Sequence, residues 1–165
     1  MSDTGIPPAD ILAIALTDLG VTEEDKDIVA RTLWGEARGE GEEGMRAVAA
    51  VIVNRARIAR AWMAKYGKKR HPLFGDGSLK SVCQAKFQFS CWNEGDPNRA
   101  KMEALATTDA LYLQGRAALE WALTNPDPTL GATHYYSSVI KAPDWTKGAT
   151  MTVKIGHHLF YKNVK

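Results

Sequence analysis

Between Met45 and Val53 only Arg46 is polar, and the alanine-rich run continues to about Tyr66. A stretch this apolar must be enclosed by protein on most sides, and its length and alanine content favour a helix over a buried strand. It reads as the central core helix, which the rest of the chain must cover. Just upstream, Thr22 and Asp25 have capping-box spacing, which starts another helix near Glu23. Val29, Leu33 and Ala37 recur every four residues as its core-facing stripe. Glu36 lies three residues after Leu33 and seven after Val29, so its carboxyl falls on that apolar face. Gly35 and Gly39 flank it and permit a sharp turn, which would leave Glu36 at the rim of a cleft. Two readings stand side by side. Burial among apolar groups would raise the Glu36 pKa and fit it as a general acid; alternatively it pairs with Arg38 or Arg31 at the surface.

On either side of this helix pair the punctuation is clear. Pro7, Pro8 and Asp10 open a short helix from about Ala9 to Leu19, ended by Gly20. Asn54 and Arg55 follow the most apolar run, either reaching back into the cleft or serving as helix-terminal caps. From residue 67 to 98 the periodicity disappears and glycine and proline recur, which predicts an irregular substrate-binding lobe. Gln88, Phe89, Ser90, Trp92 and Asn93 in that lobe offer stacking faces and amide hydrogen bonds suited to a sugar. The alternative is that Phe87, Phe89 and Trp92 pin the lobe to the core. Cys83 and Cys91, the only cysteines, are either a local disulfide or two buried thiols. Asp96-Pro97 starts a further helical region, broken near Thr107 and Thr108 and stopped by Asn125, Pro126 and Pro128. Strand-type alternation over Thr133 to Tyr136 and Thr152 to Tyr161, with Gly156 as a bulge, predicts a small short-stranded element. The expectation is a predominantly helical α+β fold in one domain spanning 1–165, with 1–22 an N-terminal extension or short helix.

Hydrophobic residues at 45% and charged residues at 24% fit a globular protein. A net charge of +2 does not imply nucleic acid, and the basic cluster of Arg55, Arg57, Arg60, Lys65, Lys68, Lys69 and Arg70 is not interleaved with stacking aromatics. That cluster is a solvated helix face or an attraction for an anionic wall polymer. No segment is long and apolar enough for stable membrane insertion, and the N-terminus lacks a signal-like pattern, so synthesis in the cytoplasm is expected.

Taken in order, WGEARGEGEEGMRAVAAVIVNR, QFSCW, Asp127-Pro128-Thr129 with Gly131 to Tyr136, PDW and IGHHLFY resemble the cell-wall hydrolase family of the spore-cortex-lytic enzyme catalytic domain. The resemblance spans about Ile28 to Tyr161. It implies a lysozyme-like fold that cleaves peptidoglycan glycan strands between N-acetylmuramic acid and N-acetylglucosamine by lytic transglycosylation. It also implies that Glu36, the first glutamate of GEARGE, is the catalytic acid. The family's larger members carry a peptidoglycan-binding domain and a secretion signal. These 165 residues read as having neither, which points to a phage- or prophage-type endolysin, monomeric and exported through a holin-type pore.

Two-carboxylate hydrolysis would need a second acid, for which Glu40 and Glu43 are the candidates; transglycosylation needs only Glu36. Gln88, Phe89 and Trp92 are expected on one wall of the groove, with His134, Tyr135 and Tyr136 on the other and Glu40 as a further substrate contact. A metal-dependent peptidase is the competing class, because His134, His157 and His158 are present. HExxH is absent, however, and adjacent histidines on a strand would face opposite ways, with His158 hydrogen-bonded in the core and His157 exposed. No cofactor or metal is expected.

Overall fold

The computed structural model describes residues 8–86 and 88–165, so Pro7 and the pinning role read for Phe87 lie outside the described residues. Six helices come first: α1 Pro8–Asp18, α2 Glu23–Ala37, α3 Gly41–Tyr66, α4 Leu79–Gln84, α5 Pro97–Glu103 and α6 Ala110–Thr124. Three strands follow, β1 His134–Ser137, β2 Thr150–Ile155 and β3 His158–Lys162. They form an antiparallel sheet in the order β1-β3-β2.

The capping chemistry that starts the helices is local. The Thr22 hydroxyl accepts from the Asp25 amide, and Asp25 accepts in return from the Thr22 amide, completing the capping box of α2. Asp96 and Asp109 cap α5 and α6 through their side chains, and Pro97 occupies the first turn of α5.

Why α3 is apolar nearly all round follows from what lies on each side. Val48, Ile52 and Ala56 face a core built with Val29 and Leu33 of α2, Leu119 of α6, and Leu79, Val82, Phe89 and Met102. Ala47 and Val51 instead meet Ala132, Ile155 and Phe160 beneath the sheet. The helix is thus buried between a helical layer and a small sheet.

Three details differ from the sequence reading. The 67–98 lobe is not free of regular structure: it holds α4, capped by the Ser78 side chain, and a 3-10 turn at Ser90–Trp92. Elements of six and three residues are too short to show a period. Gly156 is not a bulge but part of a two-residue hairpin turn joining β2 to β3, with φ +57°; the irregularity falls between Met151 and Val153. Asn54 and Arg55 sit inside α3 and cap nothing.

Candidate active site

Glu36 occupies the last turn of α2, and its carboxyl is directed against β1 and the lobe. The Tyr135 hydroxyl donates to Oε2 at 3.1 Å, while the buried Oε1 has no hydrogen-bond partner. Burial pushes the Glu36 pKa up. The Cys91 thiol and amide beside the carboxyl, the Tyr135 hydroxyl and the charge of Arg55 each pull it partly back. The approach of the lobe depends on Gly35, where an added Cβ would stand 2.9 Å from the Cys91 Cβ and 3.4 Å from the Met102 sulfur. Neither arginine offered as a surface partner reaches Glu36. Arg31 is engaged by Asp27 and by the carbonyls of Met102 and Leu105, and Arg38 lies over the Trp34 ring and bonds Asn98.

Arg55 completes the surroundings. It is 3% exposed, and its guanidinium lies between the rings of Phe74 (5.2 Å) and Phe89 (4.9 Å). Nε donates to the Thr133 carbonyl at 2.7 Å, at the entry to β1, while Nη1 is buried without a partner. Burial lowers its pKa to about 10, so it remains a cation at neutral pH. A cation and a carboxyl, each with one bare buried atom, therefore share an enclosure with Tyr135, as their mutual charge interaction reflects. Next to it, Asn54 donates to Asp127 and to the Ala132 carbonyl, while Asp127 also accepts from Thr129 and the Gly131 amide. The DPT-G segment thus fixes the loop that delivers β1.

The remaining predicted residues scatter. Glu40 is no free second acid: its carboxylate accepts from the His157 amide at 3.0 Å, with His157 Nδ1 at 3.4 Å and His158 Nε2 at 3.9 Å. Gly156 makes this clamp possible, because a Cβ there would run into the Glu40 carboxylate. Glu43 is exposed and lines a separate hollow with Glu42, Arg46 and Trp121. Phe89 is 2% exposed and packs in the core, so it presents no open stacking face. Trp92 is half-buried, donates its indole N–H to Thr32 at 2.9 Å, and lines a hollow of about 490 Å³ with Gln84, Lys86, Asn93 and Glu94. Gln88 is half-buried in the turn after Ala85.

His134, Tyr135 and Tyr136 do not share one wall. Strand alternation turns Tyr135 inward with Phe160 and His158, whereas His134 and Tyr136 lie on the other face beside Trp145. Nor do the three histidines converge. His157 is an exposed turn residue rather than a strand residue, and it approaches the same carboxylate as buried His158, whose Nδ1 lacks the core hydrogen bond expected of it. Cys83 and Cys91 are free buried thiols, not a disulfide. Burial raises the Cys83 pKa to about 12 and that of Cys91 still higher. Of the two readings open for Arg55, the structure shows the reach back into the cleft, whereas sequence reasoning missed Cys91 as a neighbour of Glu36, since it arrives only through tertiary packing. The local signal for Arg55 was a charge placed just after the most apolar run of α3.

Comparison with known proteins places this arrangement in context. A family model described as cell wall hydrolase matches residues 39–161, beginning three residues after Glu36. The spore cortex-lytic enzyme of Halalkalibacterium halodurans is 29% identical over 141 residues, which cover 86% of this chain and 36% of that protein. The enzyme of the same name from Bacillus subtilis is 28% identical over 145 residues, covering 86% and 38%. The chain therefore spans less than half the length of these relatives. Among solved structures, the catalytic domain of the germination-specific lytic transglycosylase SleB from Bacillus anthracis aligns with TM-score 0.63 and 26% identity, over 87% of this chain and 98% of that one. The catalytic domain of Bacillus cereus SleB aligns equally, over 87% and 93%. The fold is that lysozyme-like fold.

Proposed function

Because the chain belongs to the cell wall hydrolase family, we propose that it cleaves peptidoglycan glycan strands between N-acetylmuramic acid and N-acetylglucosamine by lytic transglycosylation, with Glu36 as the single acid and base. The observation that carries this reading is the Glu36 carboxyl itself, buried at the end of α2, raised in pKa and held by the Tyr135 hydroxyl. Protonated, it gives its proton to the glycosidic oxygen as the bond to the anomeric carbon breaks. As carboxylate, it takes the proton of the muramic 6-hydroxyl while that oxygen closes on the anomeric carbon, leaving a 1,6-anhydro end. Tyr135 orients the carboxyl, and the charge of Arg55 steadies it between the two proton transfers. Glu40 is occupied by the β2–β3 turn, which favours this route over hydrolysis with a second carboxylate.

In the same reading Trp92 and Gln88 contact the glycan, and the protein acts as a monomer that reaches the wall through a holin-type pore. Glu36→Gln is expected to keep the fold and to bind purified sacculi while abolishing their loss of turbidity. Mass spectrometry of wild-type digests is expected to give anhydromuropeptides. Reducing ends would instead assign hydrolysis, new free amino groups would assign amide cleavage, and full activity in Glu36→Gln would retire the mechanism.

A further inference from the structure

Chemistry at Glu36 leaves unused the most one-sided charge distribution in the chain. From residue 44 to 75 there is no Asp or Glu, yet Arg46, Arg55, Arg57, Arg60, Lys65, Lys68, Lys69 and Arg70 all fall there. Arg55 is buried, Arg46 pairs with Glu42, and Arg60 is tied to the carbonyls of Asp18, Leu19 and Gly77. Lys65, Lys68, Lys69 and Arg70 are exposed and form no ion pair among the described residues, although Arg70 shares a hollow with Asp76. These four crowd the C-terminal end of α3 and the loop that leaves it. Like charges gathered with so few acidic neighbours cost stability, and such a surface attracts anionic polymers.

Contrary to the sequence reading, aromatics do accompany these cations: Trp62 and Tyr66 fall among them, and a continuous ribbon of rings runs beside them. Trp62 contacts Tyr66 and His71, both at 5.1 Å between centroids; His71 stacks on Phe74 at 4.8 Å, and Phe74 meets His134 at 6.2 Å. His134 then meets Trp145 at 5.2 Å, and Trp145 stands edge-on to Tyr161 at 5.4 Å. A hollow of about 520 Å³ opens along the ribbon, lined by His71, Leu73, Phe74, His134, Trp145 and Lys165 among others. Burial holds His71 and His134 below the usual imidazole range, so they offer apolar faces rather than charge. The last residue of α3 lies eleven positions beyond Arg55, or about 16 Å of helix. The cations at this end of α3 thus stand well away from Glu36, although the ribbon reaches its enclosure at Phe74, whose ring also packs on Arg55.

We propose that the basic and aromatic corner at the end of α3 is a second, non-catalytic binding site for a carboxylate-bearing glycan strand. Ring faces take the apolar faces of the sugars, and Lys65, Lys68, Lys69, Arg70 and Lys165 meet the lactyl and stem-peptide carboxylates along the strand. Each exposed cation contributes little alone, so binding depends on several acting together and weakens as salt screens them.

The test reads binding without turnover, using full-length Glu36→Gln protein and purified sacculi stripped of phosphodiester polymers. A failure of this proposal is thereby distinct from a failure of the catalytic one. The triple variant K68E/K69E/R70E is expected to bind at least about tenfold more weakly at low salt and to lose most of the salt dependence of the parent. Trp62→Ala is expected to weaken binding at both low and high salt, with melting temperatures of all variants monitoring the fold. Sacculi whose carboxylates have been amidated are expected to hold the parent as weakly as untreated sacculi hold the triple variant. Parent-like binding by both variants would overturn the proposal. So would retention that survives amidation, or retention that appears only with teichoic-acid-bearing walls or anionic lipid vesicles.

Discussion

At the scale of single residues, the Glu36 carboxyl leaves a thermodynamic signature. Its folded-state pKa is raised, chiefly by burial. Between its unfolded and folded pKa values the native state therefore binds the proton more tightly, and its contribution to stability falls as pH rises through that window. Glu36→Gln removes this term. The melting temperature of the variant relative to wild type should climb from acidic pH to pH above the Glu36 pKa, as calorimetry at a series of pH values would measure; a constant difference would place the carboxyl in a water-like setting. Arg55 lowers the same pKa, so Arg55→Met should move the alkaline limb of the pH–rate profile to higher pH and reduce the maximal rate, while Arg55→Lys restores the limb. A limb that stays put in Arg55→Met would deny Arg55 its electrostatic role. The apolar-face placement of Glu36 was legible from its distance to Val29 and Leu33. Its hydrogen bond with Tyr135 and its nearness to Cys91 were not, because sequence separations of 99 and 55 residues carry no local periodicity.

Among elements, two joints set the geometry around that carboxyl. Where α2 meets the lobe, Gly35 leaves room for Cys91. Gly35→Ala should cost about 1–3 kcal/mol, as other overpacked sites do, and should lower the lytic rate by lifting the 90–92 turn away from Glu36. Where the sheet meets the helices, Glu40 grips the β2–β3 turn at Gly156 and His157. Gly156→Ala adds a left-handed penalty of about 1–2 kcal/mol to a collision with the Glu40 carboxylate, and chemical denaturation would read the sum. Helix starts at Thr22, Asp96 and Asp109 could be read from the sequence because capping is a matter of three or four residues. The hairpin at Gly156 was misread because a turn of two residues inside an alternating run looks like one interrupted strand.

For the molecule as a whole, the central helix was the most legible feature, since only burial on two sides explains so long an apolar run. The two sides are unequal. Helices α1, α2 and α6 and the lobe join α3 in one extensive core, whereas the sheet rests on it through Ala47, Val51, Ala132, Ile155 and Phe160. Hydrogen exchange should therefore show β2 and β3 opening at lower free energy than α2, α3 and α6; uniform protection would contradict a division of this kind. The free thiols of Cys83 and Cys91 add a consequence for chemical environment. Both are buried and held protonated, so neither is poised to attack a disulfide or an oxidant. Dithiothreitol should change neither melting temperature nor rate. A fold that gains nothing from oxidation and loses nothing on reduction can mature in one redox milieu and work unaltered in another.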